Sequence, residues 1–305
     1  MGPRGSGPSR PRVRTQRQAI RPRCAARTSK GIVVAQGDQY FLGYRRAEQE
    51  RLQRQAQELA HEARSLFDQI SVRPGARVVE IGCGPRGCLD LLSERVGPTG
   101  SVVGVERSEE AVDLARRFAA DHNLANVQVL NGDARASGLP RSTFDLATAR
   151  LVLVNVPRPA DVVAEMVGLT RPGGVVALHE ADWTPHVCDP PLPAWDRLFE
   201  MLVTYSTMNG IDLFVGRKVP RMLREAGLVD IRVNALIHVY PPGHGRRTIF
   251  LEFVENLRDR LLDQNLIEDG ELEELLADLK RHLDDPQTLV VSHMFFQSWG
   301  RKPEQ

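Results

Sequence analysis

The residues best suited to chemistry lie in a glycine-rich turn, Gly82-Cys83-Gly84-Pro85-Arg86-Gly87, and in the acids around it. The turn follows an apolar run, Val78-Val79-Glu80-Ile81, and leads into a helical stretch. Glycine permits a tight turn and close approach of the backbone to a ligand, and the next helix points its N-terminus at that ligand. Gly-x-Gly-x-x-Gly alone is a weak signal; a strand before it and a helix after it point to a nucleotide-like ligand. Glu106 closes the next apolar run, Val102-Val103-Gly104-Val105, 24 residues after Gly82. A carboxylate there can accept both hydroxyls of a ribose. These two features fit NAD as well as an adenosyl cofactor, and three others separate them. Glu80 stands two residues before the first glycine, where a dinucleotide site needs an apolar residue so that the pyrophosphate can come close. Gly132-Asp133-Ala134 follows the third apolar run and offers a carboxylate to an adenine amino group. The chain also ends in what reads as an antiparallel pair rather than a sixth parallel strand.

The elements that must hold these residues alternate. A helix is expected over 45–70, where Leu52, Leu59, Ala63, Leu66, Phe67 and Ile70 recur at helical spacing, and Pro74-Gly75 ends it. Strands are expected at 77–81, 102–105, 127–130, 144–149 and 175–179, with helices at 87–96, 109–122 and 160–169 between them. Strands separated by helices of this length make a parallel sheet covered on both faces. Past 180 the rhythm changes. Helices are expected at 193–208 and 217–226, a strand at 231–240, and a mostly helical stretch at 247–283 broken near Asp269-Gly270. A last strand is expected at 288–299, antiparallel to 231–240. The fold class is therefore α/β: a Rossmann-like, doubly wound, seven-stranded sheet with a C-terminal antiparallel strand pair and a helical cap.

With the elements in place, the motifs resemble those of class I S-adenosylmethionine-dependent methyltransferases. Val78-Val79-Glu80-Ile81-Gly82-Cys83-Gly84 resembles the family's first motif. Glu106, Gly132-Asp133-Ala134, Phe144-Asp145-Leu146 and Arg171-Pro172-Gly173-Gly174 look like the later ones, in order. The likeness is strong over 75–180 and looser over 40–240. Pro85-Arg86 departs from the more usual Thr-Gly, which reshapes the turn near the methionine end and brings Arg86 toward a carboxylate. The resemblance implies S-adenosyl-L-methionine as cofactor. It passes the methionine moiety along Gly82, Cys83 and Gly84, with Glu80 near its ammonium. Glu106 holds the ribose, Arg107 lies beside the adenine, Asp133 and Ala134 bind the adenine, and Arg150 faces the sulfonium. Residues 48–55 look like a lid helix, from which Tyr40, Arg51 and Gln55 close over the methionine end.

Methyl transfer is an in-line displacement in which the enzyme aligns the nucleophile and excludes water. A general base is needed only for an acceptor protonated at neutral pH, so the class requires no catalytic residue. Candidates for a base are His179 and His186, in the stretch His179-Glu180-Ala181-Asp182-Trp183-Thr184-Pro185-His186 at the mouth of the sheet. Core packing for His179 and a surface position for His186 are the competing readings. Trp183, Tyr205 and His238 are expected to touch the acceptor, with Met208, Phe214 and Tyr240 as further lining. His179, His186 and Cys188 do not close a ligand set, so no metal is expected. Cap elements at 37–70, 185–215 and 243–287 suit a small organic acceptor, methylated on O, N or C. The alternatives from other classes are an NAD-dependent oxidoreductase and a cofactor-binding protein without catalysis.

Composition bounds the partners. Residues 1–37 hold nine basic side chains and no acid, leaving 31 basic against 39 acidic residues in the body. An acidic body argues against nucleic acid, whose phosphates need a basic face. No apolar stretch reaches the roughly 20 residues of a membrane helix. The domain organisation expected is a disordered basic extension over 1–36 and a methyltransferase domain over 37–305. The extension reads as a transit peptide or a start placed upstream of the true one near Val33, ahead of a working tail. The four cysteines, Cys24, Cys83, Cys88 and Cys188, fit neither a zinc site nor a disulfide framework, which points to a reducing, cytoplasmic setting. A monomer or a homodimer is expected.

Overall fold

In the computed structural model, the five expected parallel strands form. The structure describes Gly2, residues 46–184 and residues 187–304; the expected basic extension, Tyr40 and His186 lie outside them. β1 (Arg77–Ile81), β2 (Ser101–Glu106), β3 (Val127–Asn131), β4 (Phe144–Arg150) and β5 (Thr170–Asp182) run parallel to one another. β9 (Met294–Arg301) lies antiparallel between β5 and the edge strand β7 (Val229–Leu236). The order across the seven-stranded sheet is β3-β2-β1-β4-β5-β9-β7, so the order in which strands are added reverses between β1 and β4. Ligands of open α/β sheets bind beyond the carboxyl ends of the strands at such a switch point.

Helices cover both faces. α3 (Leu89–Val96) and α4 (Glu109–Asp121) follow β1 and β2, and α5 (Pro159–Leu169) follows β4. The Ser108 hydroxyl caps α4 by accepting from Ala111 N at 3.2 Å, with Glu109 and Glu110 in its first turn against the positive helix end. Pro159 starts α5 and Pro193 starts α6 (Pro193–Met208), where a missing N–H costs nothing. α7 (Val219–Glu225) ends at Gly227, whose φ of +84° suits glycine. On one face Ala63, Leu66, Phe67, Val78, Leu92, Val112 and Leu146 bury together; on the other Val79, Ile81, Val162, Met166, Leu178 and Leu198 do so. Each fully buried Leu, Val or Phe contributes about 1.5–3 kcal/mol.

The single helix expected over 45–70 is two, α1 (Arg46–Glu58) and α2 (Ala60–Ile70), joined at Leu59. β5 extends past its expected ends at 175 and 179, running through Pro172-Gly173-Gly174 and on to Asp182. The expected break in the long insert falls at 264–268, just ahead of Asp269-Gly270. α8 (Ile249–Asp263) stops before Asn265, which adopts φ +55°, and Asp269-Gly270 begins α9 (Asp269–Asp284) rather than dividing it. The last strand is also divided. β8 (Leu289–Val291) pairs with a short β6 (Val187–Asp189) in a second sheet, and only β9 joins the large one.

The cap is stitched by polar contacts. The Arg51 guanidinium sits 4.9 Å from the Phe253 ring centroid, Asn256 Nδ2 donates to Glu48 Oε2 at 3.4 Å, and Arg54 faces Glu252 at 3.6 Å. These tie α1 to α8. α2 is fixed to the sheet by Gln297 Nε2, which donates to the Glu62 carbonyl at 2.8 Å. No described helix is long and apolar enough to cross a membrane.

Candidate functional site

The turn after β1 is built around two carboxylates. Glu106, at the end of β2, accepts from Gly84 N at 3.0 Å with one oxygen and from Arg107 N and Ser108 N at 2.7 and 2.8 Å with the other. It locks the β1 turn to the β2 turn. A carboxylate offers about four acceptor positions, so one is left for a ligand hydroxyl. Glu80 is buried and accepts from Cys88 N at 2.9 Å with both oxygens. Burial pushes its carboxyl up to about 7, against the opposing pull of Arg150 and the Cys88 N–H.

Two glycines make room for this. Gly82 has φ +65°, and a Cβ there would stand 2.5 Å from Val152 Cγ2. Gly87 has φ +57°, and a Cβ there would stand 2.6 Å from Glu80 Oε2. Gly82→Ala is expected to cost about 1–3 kcal/mol, because a non-glycine residue is forced into the left-handed region. A thermal melt checks this, and a melting temperature equal to that of the parent refutes it. Gly84 at φ +58° has nothing within 4 Å of its would-be Cβ, so the turn presents open backbone there. Cys83 turns inward instead: its Sγ packs 2.9 Å from the would-be Cβ of Gly104, and burial pushes its thiol up. Only its backbone remains for a ligand.

Arg150 ends β4. Its Nη2 donates to the Gly87 carbonyl at 3.1 Å, and its Nη1 is buried with no hydrogen-bond partner. A buried unpaired guanidinium nitrogen beside the turn fits a ligand carboxylate. Asp133 is held by Arg135: Nε and Nη2 of Arg135 donate at 3.0 and 2.7 Å and its backbone N at 2.8 Å. Arg135 brings the Asp133 carboxyl down to about 2. Ala134 packs half-buried against the core, and Arg107 is exposed at the rim. Arg51 and Gln55 belong to α1. Arg51 donates to both oxygens of Glu48 at 2.7 and 2.6 Å and to Gln55 Oε1 at 2.9 Å.

Arg86 turns away from the open side of the turn. It pairs with Asp90 at 2.9 Å and stacks 4.7 Å over Phe118, so the carboxylate it meets is the protein's own.

The acceptor-side residues divide. Tyr205 lies 3% exposed on α6, and Met208 is 60% exposed. Trp183 is buried against His293, 4.9 Å between ring centroids, and meets Phe253 edge-on at 5.2 Å. Tyr240 is buried and Phe214 half-buried. His179 is buried with both ring nitrogens unpaired, and burial, with Arg150, Arg246 and His238, pulls its pKa down to about 3. That makes it a weak proton acceptor. His238 is half-buried, with Nε2 3.4 Å from Glu62 Oε1. Among the described residues no group of three or more His, Cys, Asp or Glu could hold a metal ion, and Cys188 lies on β6, away from the β5 row that carries His179. Sequence reasoning gave no role to Arg135, Glu62, Arg246 or Glu180. Glu180 lay in view as an acid near the strand end, but its partners, the N–H groups of residues 152–154, carry no side-chain signal.

A family model for a methyltransferase domain matches residues 73–227, which span every one of the turns just described. The chain belongs to that family. It falls in the class I S-adenosylmethionine-dependent methyltransferase superfamily. The chain is 35% identical over 133 residues to nocamycin O-methyltransferase of Saccharothrix syringae, covering 44% of this chain and 46% of that one. It is 30% identical over 178 residues to demethylmenaquinone methyltransferase of a Geobacillus species, covering 54% and 76%. A 37.1 kDa protein of transposon TN4556 from Streptomyces fradiae is 34% identical over 176 residues, covering 57% and 50%. The chain spans about half the length of the first two curated relatives it matches. Its fold is that of the YcgJ protein of Bacillus subtilis, with TM-score 0.52, 17% identity and 80% and 100% of the two chains covered. It is also that of the [4+2]-cyclase SpnF, with TM-score 0.51, 17% identity and 82% and 83% covered.

Proposed function

We propose that this chain transfers a methyl group from S-adenosyl-L-methionine to a small organic acceptor. The observation that carries this reading is the Glu106 carboxylate bridging the β1 and β2 turns while keeping acceptor capacity for ribose. Around it Gly82 and Gly84 would carry the methionine moiety, with the Cys83 backbone between them. Arg150 Nη1 would meet its carboxylate and Glu80 its ammonium. Asp133 and Ala134 would border the adenine, with Arg107 outside it. Arg51 and Gln55, on α1, would close over the methionine end as a lid, and Tyr40 would join them. When bound, this cofactor supplies an electrophilic methyl carbon, which an acceptor lone pair takes as the carbon–sulfur bond breaks and its electrons stay on sulfur. The protein's part is to hold the acceptor in line and keep water out.

The covered face and the acidic body support a small acceptor rather than nucleic acid. A cytoplasmic enzyme, monomeric or homodimeric, fits the reading. Thermal-shift titrations test the cofactor: S-adenosylmethionine and S-adenosylhomocysteine are expected to raise the melting temperature and NAD to leave it unchanged. Stabilisation by NAD alone would overturn the proposal. Transfer of labelled methyl groups into a metabolite extract tests catalysis, and binding without any transfer would reduce the protein to a cofactor binder.

A further inference from the structure

A second set of polar groups gathers where β5 ends and β9 begins, on the face that α2 covers. The ring of Phe295, fully buried, is its hub. His179 meets that ring edge-on at 5.4 Å, His238 lies at 5.8 Å and His293 at 4.4 Å, and the Arg246 guanidinium sits 5.6 Å from it. These groups come from β5, from the segments on either side of Pro241-Pro242, and from the start of β9. Arg246 is 3% exposed. Its Nε donates to Tyr240 OH at 3.1 Å, while Nη1 has no hydrogen-bond partner and stands 3.6 Å from Glu58 Oε2. The His238 ring lies nearly parallel to that of Tyr240. Beside it, Glu62 Oε2 is buried and unpaired as well. Buried polar atoms without partners are costly and rare, so this many in one place mark where something binds.

We propose that the acceptor's reactive group is an acidic hydroxyl on a planar ring, a phenol or an enol, received between His238 and Arg246 beside Phe295. This rests on the methyl-transfer reading and narrows its acceptor. His238, whose Nε2 stands 3.4 Å from Glu62 Oε1, takes the hydroxyl proton. Burial lowers its pKa and the Glu62 carboxylate pulls against that. The oxygen keeps the electron pair and becomes the nucleophile, and Arg246 meets its negative charge. The parallel rings of His238 and Tyr240 and the face of Phe295 suit a flat partner better than an aliphatic one.

The test uses the full chain saturated with S-adenosylhomocysteine and three probes of one shape: 4-nitrophenol, nitrobenzene and 4-nitrobenzylamine. Calorimetry gives affinities, and the absorbance of bound 4-nitrophenol gives its ionisation state. We expect 4-nitrophenol to bind about tenfold or more tighter than the other two. It should be bound as the phenolate at a pH below its solution pKa. His238→Asn and Arg246→Met should each weaken it about tenfold and leave nitrobenzene unaffected, with Arg246→Lys between. Three similar affinities, unchanged binding in both variants, or no binding of 4-nitrophenol to the loaded protein would each overturn the inference. If Arg246→Met does not fold, His238→Asn decides alone. Failure of S-adenosylhomocysteine itself to bind strikes the methyl-transfer reading instead.

Discussion

Replacing Glu180 with alanine is expected to lower stability by about 3–5 kcal/mol, the range for removing one side of a buried polar network. Glu180 is fully buried on β5, and its carboxylate accepts from Val152 N, Leu153 N and Val154 N at 3.0, 2.9 and 3.2 Å. Alanine leaves three buried donors unpaired, each worth about 1–3 kcal/mol before relaxation or entry of water offsets part of it. Glutamine is the sharper probe. One Glu180 oxygen serves Val152 and Leu153 and the other serves Val154. An amide keeps the first pair and turns its NH2 toward Val154 N, so Glu180→Gln should cost about 1–2 kcal/mol, near one lost bond. Urea unfolding measures both; a loss below about 1 kcal/mol for the alanine variant refutes the account. The effect should reach the cofactor turn. The 152–154 loop begins after Leu151, held at φ +56°, and Val152 packs against Gly82. A loosened loop removes one wall of that turn, so affinity for S-adenosylhomocysteine should fall along with stability.

Glu180 also shows where sequence reading stops. The five parallel strands were legible because each holds a short, mostly apolar run bounded by glycine, proline or a charged helix start, and their turns carry the cofactor residues within a few positions. Gly82, Glu106 and Asp133 are therefore read locally. What failed depended on direction in space. Residues 288–299 read as one strand, but the chain leaves the small sheet and enters the large one at Ser292-His293, where Ser292 N donates to the His238 carbonyl and His238 N to Ser292 Oγ. Apolar periodicity does not change when a strand passes from one sheet to another. The break near Asp269-Gly270 was legible because glycine disfavours helix interiors, and the chain does break just ahead of it. At a helix start that penalty is small, and Asp269 and Glu271 favour the first turn of α9. Tyr205 carried the periodicity of both core and lining, and its burial fits either. The acceptor side was the least legible, since Glu62, His179, His238, Arg246 and Phe295 meet only after the sheet and the insert have formed.

S-adenosylhomocysteine is expected to bind more weakly at pH 6 than at pH 8, by about tenfold, through Glu80. Burial raises the Glu80 carboxyl from 4.5 to about 7, so near neutrality it is only partly ionised. Only the carboxylate attracts the ligand's ammonium. Between pH 6 and 8 the ionised fraction rises roughly tenfold, and affinity should rise with it. The same shift has the opposite sign for folding. A carboxyl that holds its proton more tightly when folded contributes stability that is complete below the unfolded value of 4.5 and lost as pH rises through about 7. The free protein should therefore lose stability over the window in which it gains affinity. Burial likewise puts Glu180 at about 7, adding to the fall in stability but not to the gain in binding. Glu80→Gln separates the two. It should flatten the affinity profile near the wild-type value at pH 6, while the amide oxygen of the new side chain still accepts from Cys88 N. A wild-type affinity independent of pH, or an unchanged slope in Glu80→Gln, would remove the ammonium from Glu80 and leave that carboxylate only the task of holding the turn through Cys88 N.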